Sequence, residues 1–260
     1  MNSILTASVT IIIPAYNAEK TIIPALESIF DQTVKPEKII VVNDGSTDNT
    51  EKLVSDFTRQ HEEISIDFIT QKNAGASSAR NNGIKRVETA YTAFLDSDDA
   101  WHPEKLEKQL KAFTDYPKAV LVSTSSTVKD SFSNTTKIVP YTKLLIKNHV
   151  ITSSVLVRTD IIKPILFNEK LKRAEDYNLW LKIARHNQIV FIDEKLVFFA
   201  PKRTFGASGL SADFHALTLD EIRGFLQLFS QGFINLGQLC LALCSTCLKY
   251  LRKCIIVYLT

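Results

Sequence analysis

The sequence is short of cysteine and glycine, and each shortage removes support from a class of protein. Residues 1–239 contain no cysteine; Cys240, Cys244, Cys247 and Cys254 all stand in the last stretch. That leaves no disulfide framework. Only 8 glycines occur in 260 residues, and neither GxGxxG nor GxxxxGK(S/T) is among their patterns, which counts against dinucleotide dehydrogenases and P-loop enzymes. HExxH and GxSxG are also missing. Neither charge sign dominates: 31 Lys+Arg face 28 Asp+Glu, a formal net charge of +3. Nothing in that balance calls for a nucleic acid partner, and none is expected. The first residues lack a basic n-region and a long apolar stretch, so the expected residence is the cytoplasm, peripheral at most to the inner face of the cell membrane. What is present is ordinary globular composition, 45% hydrophobic and 23% charged, with room for one large domain and a short appendage.

The first hundred residues alternate between short β-branched runs and amphipathic helical stretches, the pattern of a mainly parallel sheet flanked by helices. Residues 9–15 predict a first strand. A helix over 18–32, capped by Asn17, follows it, then a buried strand over 38–43 and a helix from 48 to 61. Residues 64–70 and 91–95 predict two further strands around a helix over 76–87, and Pro103 opens a helix to about 115. Beyond residue 117 the pattern is mixed, with strands expected over 119–125, 136–140, 153–158 and 189–200 and a helix over 175–187. Residues 214–254 read as largely helical. The simplest partition is one α/β domain over residues 1–212 and a helical tail over 213–260.

Ligands of an open α/β sheet gather beyond the carboxyl ends of its strands. Those positions hold Pro14-Ala15-Tyr16-Asn17, Asp44-Gly45-Ser46 and Asp96-Ser97-Asp98-Asp99. Three carboxylates within four residues repel one another unless a cation or hydrogen bonds compensate. On spacing alone the run serves equally as a site for a hard divalent ion or as an acidic cap for the next helix. Asp44 before Gly45 is by itself a turn dipeptide; with Tyr16 it could instead hold a base, through a carboxylate acceptor and a ring. Arg80 lies in a helix of small residues, where it is either a surface charge or a contact for phosphate or sugar. Glu175 and Asp176 fit the first turn of a helix for dipole reasons alone.

Taken in order, IIIPAYNAEKTI, IIVVNDGSTDNT, QKNAGASSARNNGI and FLDSDDAWHPEKL resemble the nucleotide-sugar half of family 2 inverting glycosyltransferases with a GT-A fold. The resemblance is strong over 9–110, looser over 150–210 and slight in the tail. It implies a nucleotide-sugar-binding half over 1–117 and an acceptor-binding half over 118–212. Pro14, Tyr16, Asp44, Arg80 and Asp96 would then serve the donor nucleotide, Asp98 and Asp99 a Mn²⁺ or Mg²⁺ ion. Asp176 would be the catalytic base, with Glu175 as its substitute or a contact for acceptor hydroxyls. Two positions depart from the pattern: Asn43 replaces an Asp, and Phe205 stands where an Arg-x-His stretch would put the imidazole, leaving Arg203 to meet phosphate. QxxRW, the mark of processive synthases, is absent.

The expected activity is metal-dependent, inverting transfer of a sugar from a nucleoside diphosphate donor, a UDP-sugar by preference, to a saccharide or lipid-linked saccharide in cell-surface polysaccharide or lipopolysaccharide synthesis. GDP- or dTDP-sugars are the alternative donors, and a non-catalytic nucleotide-binding scaffold the alternative function. In the tail, Cys240, Cys244, Cys247 and Cys254 share a helical stripe. That stripe is expected to pack against the domain or a second copy, in preference to a membrane surface.

Overall fold

A computed structural model of the chain describes residues 6–126, 132–199 and 213–259, with side chains as far as residue 256. In chain order its elements begin β1 (Thr6–Ala15), α1 (Ile22–Phe30), β2 (Lys35–Asn43), α2 (Thr50–Gln60), β3 (Ser65–Thr70), α3 (Ala76–Arg86), β4 (Tyr91–Phe94), β5 (Asp99–Trp101) and α4 (Lys105–Asp115). They continue with β6 (Ala119–Ser126), β7 (Thr136–Ile138), α5 (Tyr141–Ile146), a 3₁₀ turn (Thr152–Ser154), β8 (Leu156–Arg158), α6 (Thr159–Ile162), α7 (Glu175–Ala184), β9 (Gln188–Phe199), α8 (Phe214–Ser230) and α9 (Leu236–Leu259). They divide into two compact units. One comprises Met1–Ile138, Val150–Leu166 and Asn187–Ala200; the other Val139–His149, Phe167–His186 and Pro201–Thr260.

The first unit is built on one sheet of strand order β3-β2-β1-β4-β8-β6-β9-β5, with β7 joined to β9. The α/β class expected from the alternating pattern is borne out. β3, β2, β1 and β4 pair in parallel, β8 runs antiparallel between β4 and β6, and β6 and β9 are again parallel. The run Ile11-Ile12-Ile13 in β1 is apolar on both faces because both faces are covered. Ile11 and Ile13 join Ile39 and Val41 of β2 and Ile22, Leu26 and Ile29 of α1 in the main core. Ile12, on the opposite face, meets α3: a Cβ on Gly83 would lie 2.7 Å from Ile12 Cγ2. The small residues of α3 thus let a helix approach the strand closely.

Two local expectations need correction. Asn17 does not cap a helix at residue 18; it adopts a left-handed φ of 49° and α1 begins at Ile22. The reason is competition from the loop after β2: Thr50 Oγ1 accepts the Ala18 N–H at 2.8 Å, and Asp48 Oδ2 accepts that of Glu19 at 3.0 Å. The short β5 strand, which pairs with β9, falls where no strand is expected.

Lys105 of α4 is 0% exposed. Its Nζ donates to Gln109 Oε1 at 2.8 Å and lies 3.7 Å from the centre of the Trp101 ring. Burial holds its pKa well below the ordinary lysine range. Between the folded and unfolded pKa values the folded chain therefore binds fewer protons, and this residue's contribution to stability rises with pH. Urea melts of wild type and Lys105→Met should show wild type gaining on the variant from pH 7 towards pH 10, by at most about 1.4 kcal/mol per pH unit. A pH-independent difference would mean that the folded amine stays protonated.

The second unit is helical. Tyr177 of α7 donates its hydroxyl to the Leu144 and Leu145 carbonyls of α5 at 2.6 and 3.1 Å, and Asn178 Nδ2 reaches the Gly224 carbonyl of α8 at 3.2 Å. Burial pushes the Tyr177 phenol well above its usual pKa. Asp213 caps α8 by accepting the Ala216 N–H at 3.0 Å. In α9 the buried side is Leu239, Ala242 and Thr246, whereas Cys240, Cys244 and Cys247 are exposed. Among the described residues the cysteine stripe is therefore not the packed face; residues about a third of a turn away take that place. Among the described residues no helix is long and apolar enough to cross a membrane.

Candidate active site

Because β2, β1 and β4 are adjacent and parallel, the residues following them fall at one edge of the sheet. Pro14 is buried within β1, opposite Val42. Tyr16, just past the strand, is 52% exposed, so its ring is available for stacking. Asn17 Oδ1 accepts the Thr47 N–H at 2.8 Å, and Ser46 Oγ accepts that of Asn17 at 3.0 Å, which ties this loop to the one after β2.

Asp44 is only 4% exposed. Its Oδ1 accepts from Gln71 Nε2 at 2.8 Å and the Ala74 N–H at 2.9 Å, while Oδ2 accepts the Gly75 N–H at 2.8 Å. Two carboxylate oxygens offer about four acceptor positions, so these donors leave capacity for one more. Gly45 has φ of 76°, and a Cβ there would lie 3.0 Å from the Asn73 nitrogen, so the turn and the 71–75 loop lie against each other. Asn43 accepts the Ser46 N–H through Oδ1 at 2.9 Å, a role open equally to the Asp it replaces.

The acidic run separates into distinct environments. Asp96 is half-buried, and its Oδ1 accepts from Arg80 Nη2 at 2.7 Å. Arg80, itself 5% exposed, is thus brought together with Asp96 rather than held at the surface. Asp98 is exposed. Asp99, at the start of β5, is 6% exposed and accepts from the Ser153 hydroxyl at 2.5 Å through Oδ2. Among the described residues no group of three or more His, Cys, Asp or Glu side chains could by itself hold a metal ion. One outward carboxylate beside a half-buried one suits a small hard cation that completes its shell with diphosphate oxygens.

In the helical unit, Glu175 and Asp176 occupy the first turn of α7, after Ala174 at a left-handed φ of 55°. Asp176 Oδ1 accepts the Tyr177 N–H at 2.6 Å, and Asn148 Nδ2 is 3.4 Å from Oδ2. Arg203 and Phe205 lie outside the described residues.

Several residues that shape this edge carry no sequence signal of their own. Gln71 reads as an ordinary loop residue, yet it bonds Asp44 and accepts from Asn82 Nδ2 at 2.7 Å. Ser153 reads as part of a strand, yet it touches the acidic run 54 residues upstream. The Lys105 and Gln109 pair, spaced i, i+4 on the apolar face of α4, is the one hint available in advance.

The profile of glycosyl transferase family 2 matches residues 10–159. A UDP-Glc:alpha-D-GlcNAc-diphosphoundecaprenol beta-1,3-glucosyltransferase, WfgD, of Escherichia coli is 32% identical over 212 residues, covering 79% of this chain and 80% of that protein. An uncharacterized glycosyltransferase of Rickettsia bellii is 33% identical over 202 residues, 73% of this chain. The chain spans 28% of that relative's length, and 62% of a 32% identical relative from Rickettsia typhi. Among solved structures, Staphylococcus aureus TarS 1-349 in complex with UDP-GlcNAc superposes with a TM-score of 0.68 at 22% identity, over 85% of this chain and 66% of that one. A Pyrobaculum calidifontis mannosyltransferase, PcManGT, in complex with GDP-Man and Mn²⁺ superposes with a TM-score of 0.67 at 18% identity, over 92% of this chain and 73% of that one. With a family profile over more than half its length and a relative matched along most of both chains, this protein belongs to glycosyl transferase family 2 and has the GT-A fold.

Proposed function

We propose that the chain is a metal-dependent, inverting glycosyltransferase that moves a sugar from a UDP-sugar to a saccharide or lipid-linked saccharide acceptor in cell-surface glycan synthesis. The observation that carries this reading is the set of groups at the carboxyl edge of β1, β2 and β4. An exposed ring at Tyr16 faces solvent, Asp44 is fixed by three donors, Arg80 is paired with Asp96, and Asp98 points outward. In this reading Tyr16 and Asp44 hold the base, Asp96 the ribose, and Asp98 the ion, while Arg80 orients Asp96. A bound Mn²⁺ or Mg²⁺ would neutralise charge on the departing diphosphate. Asp176 takes the proton of the acceptor hydroxyl as its oxygen bonds to the anomeric carbon; the bond from that carbon to the diphosphate breaks, and the nucleoside diphosphate leaves with the electron pair. Glu175 contacts acceptor hydroxyls. Support for the donor and acceptor classes comes from the UDP-GlcNAc bound by TarS, the Mn²⁺ in PcManGT, and the diphosphoundecaprenol-linked acceptor in the name of WfgD.

Calorimetric titration of UDP, GDP and dTDP, each with and without Mn²⁺, tests the reading. UDP should bind most tightly and need the ion. Tighter binding of GDP or dTDP would reassign the donor, and absence of metal-dependent binding to any of them would favour a non-catalytic scaffold.

The reading extends to the tail. Leu241, Leu248, Leu251 and Ile255 are exposed on one side of α9 together with Cys240 and Cys244. Of the four bases over residues 222–260, Arg223 pairs with Asp220 at 2.9 Å and Lys249 with Glu221 at 3.6 Å, while Arg252 and Lys253 stand near the end of α9. An apolar stripe among cations suits the interface of an anionic bilayer, which would keep the enzyme near a lipid-linked acceptor. The full chain should co-sediment with phosphatidylglycerol vesicles, and the triple variant Leu248→Glu, Leu251→Glu, Ile255→Glu should bind at least tenfold more weakly. Equal recovery of the two proteins would rule the membrane contact out.

A further inference from the structure

Ser153 holds the chain on both sides of the acidic run. Its hydroxyl donates to Asp99 Oδ2 at 2.5 Å and accepts the Asp96 N–H at 3.1 Å; its carbonyl accepts from Trp101 Nε1 at 2.7 Å. The residue is fully buried in the 3₁₀ turn Thr152–Ser154. That turn is itself held from α4, since the Ser154 carbonyl accepts from Gln109 Nε2 at 2.8 Å, and the Oε1 of Gln109 accepts from Lys105 Nζ at 2.8 Å.

The four residues Asp96 to Asp99 thus begin and end on one hydroxyl. Carboxylates this close repel one another, and one withdrawn from water needs a donor or a cation. The buried hydroxyl satisfies one oxygen of Asp99 from within the protein, at the short distance typical of a charge-assisted bond. Asp99 therefore faces inward, and Asp98, one residue earlier, faces out.

We propose that Ser153 is a positioning residue for the divalent ion and donor diphosphate: it draws Asp99 inward as a structural carboxylate and pins the Asp96 amide, leaving the ion to Asp98. This rests on the donor-site reading above. It changes the division of labour within the acidic run, since an adjacent pair of carboxylates otherwise offers two equivalent ligands.

The test is calorimetry of UDP binding, with Mn²⁺ and with EDTA, on wild type, Ser153→Ala, Asp98→Asn and Asp99→Asn. Asp99→Asn keeps an oxygen for the Ser153 hydroxyl and should bind UDP–Mn²⁺ within about threefold of wild type, whereas Asp98→Asn should lose the metal-dependent gain. Ser153→Ala should lose at least tenfold of metal-dependent affinity while its affinity in EDTA, which reads the base pocket, stays at the wild-type value. A merely structural defect would lower both. Asp99→Asn losing as much as Asp98→Asn, or Ser153→Ala keeping its metal-dependent gain, overturns the proposal. If Ser153→Ala does not fold, the comparison of the two aspartate variants decides alone. A wild-type protein whose UDP binding ignores Mn²⁺ overturns instead the donor-site reading, and this proposal with it.

Discussion

Asp176→Asn is expected to reduce kcat by about 10²–10⁴-fold, the range contributed by a positioned general base, while changing UDP affinity by less than about threefold. Asparagine is nearly isosteric with aspartate and can still accept the Tyr177 N–H, 2.6 Å away in the wild type, so the first turn of α7 should persist. What it cannot do is take up a proton from an acceptor hydroxyl. Steady-state transfer assays, with UDP calorimetry on the same preparation, separate the two effects. Glu175→Gln should show the opposite balance, a raised acceptor KM with a modest change in kcat, because contact with acceptor hydroxyls is a binding role. If Asp176→Asn instead lost nucleotide affinity and left kcat intact, the base would have to be sought elsewhere.

Asp44→Ala is expected to weaken UDP binding by about 10- to 150-fold, the loss of one hydrogen bond between a base edge and a charged acceptor. The same change should destabilise the protein by about 2–4 kcal/mol, because Gln71 Nε2 and the Ala74 and Gly75 N–H groups would all lose their acceptor. The two consequences are separable. A variant destabilised by that amount but binding UDP normally would show Asp44 to be an anchor for the 71–75 loop and nothing more. Affinity should therefore be measured well below the melting temperature, with denaturant unfolding run in parallel.

How much of this was legible in advance follows from the range of the interactions involved. β1 and β2 announce themselves because a strand covered on both faces must be apolar throughout, and Ile11 to Ile13 and Ile39 to Val42 leave no other use for such a run. Tyr16, Asp44 and Asp98 are legible as site candidates because topology puts strand ends at the ligand edge whatever their side chains do. Their partners are not. Asp44 finds its donors 27 to 31 residues away, and Asp99 meets Ser153 across 54. No local pattern encodes such pairs. Asn17 illustrates the same limit from the other side: a good capping residue by type, it yields to Thr50 and Asp48 because those side chains arrive from another loop. The exposed side of α9 was ambiguous for a related reason, since a helix carrying apolar residues around most of its circumference does not state which stripe its neighbours will cover.

The order of the strands has a consequence for biosynthesis. β5 pairs with β9, Asp99 opposite Phe199, and the turn that holds the acidic run belongs to residues 152–154. A nascent chain that has emerged as far as residue 117 therefore carries the four motifs of residues 9–110 in its primary structure but neither of the segments that hold the last of them. At about 5–20 residues per second, several seconds of translation separate the acidic run from its partner strand. The amino-terminal half alone thus lacks the contacts that hold its acidic run. Grafted onto a foreign acceptor half, it would need a substitute for the Thr152–Ser154 turn and for β9 before its carboxylates could take their places.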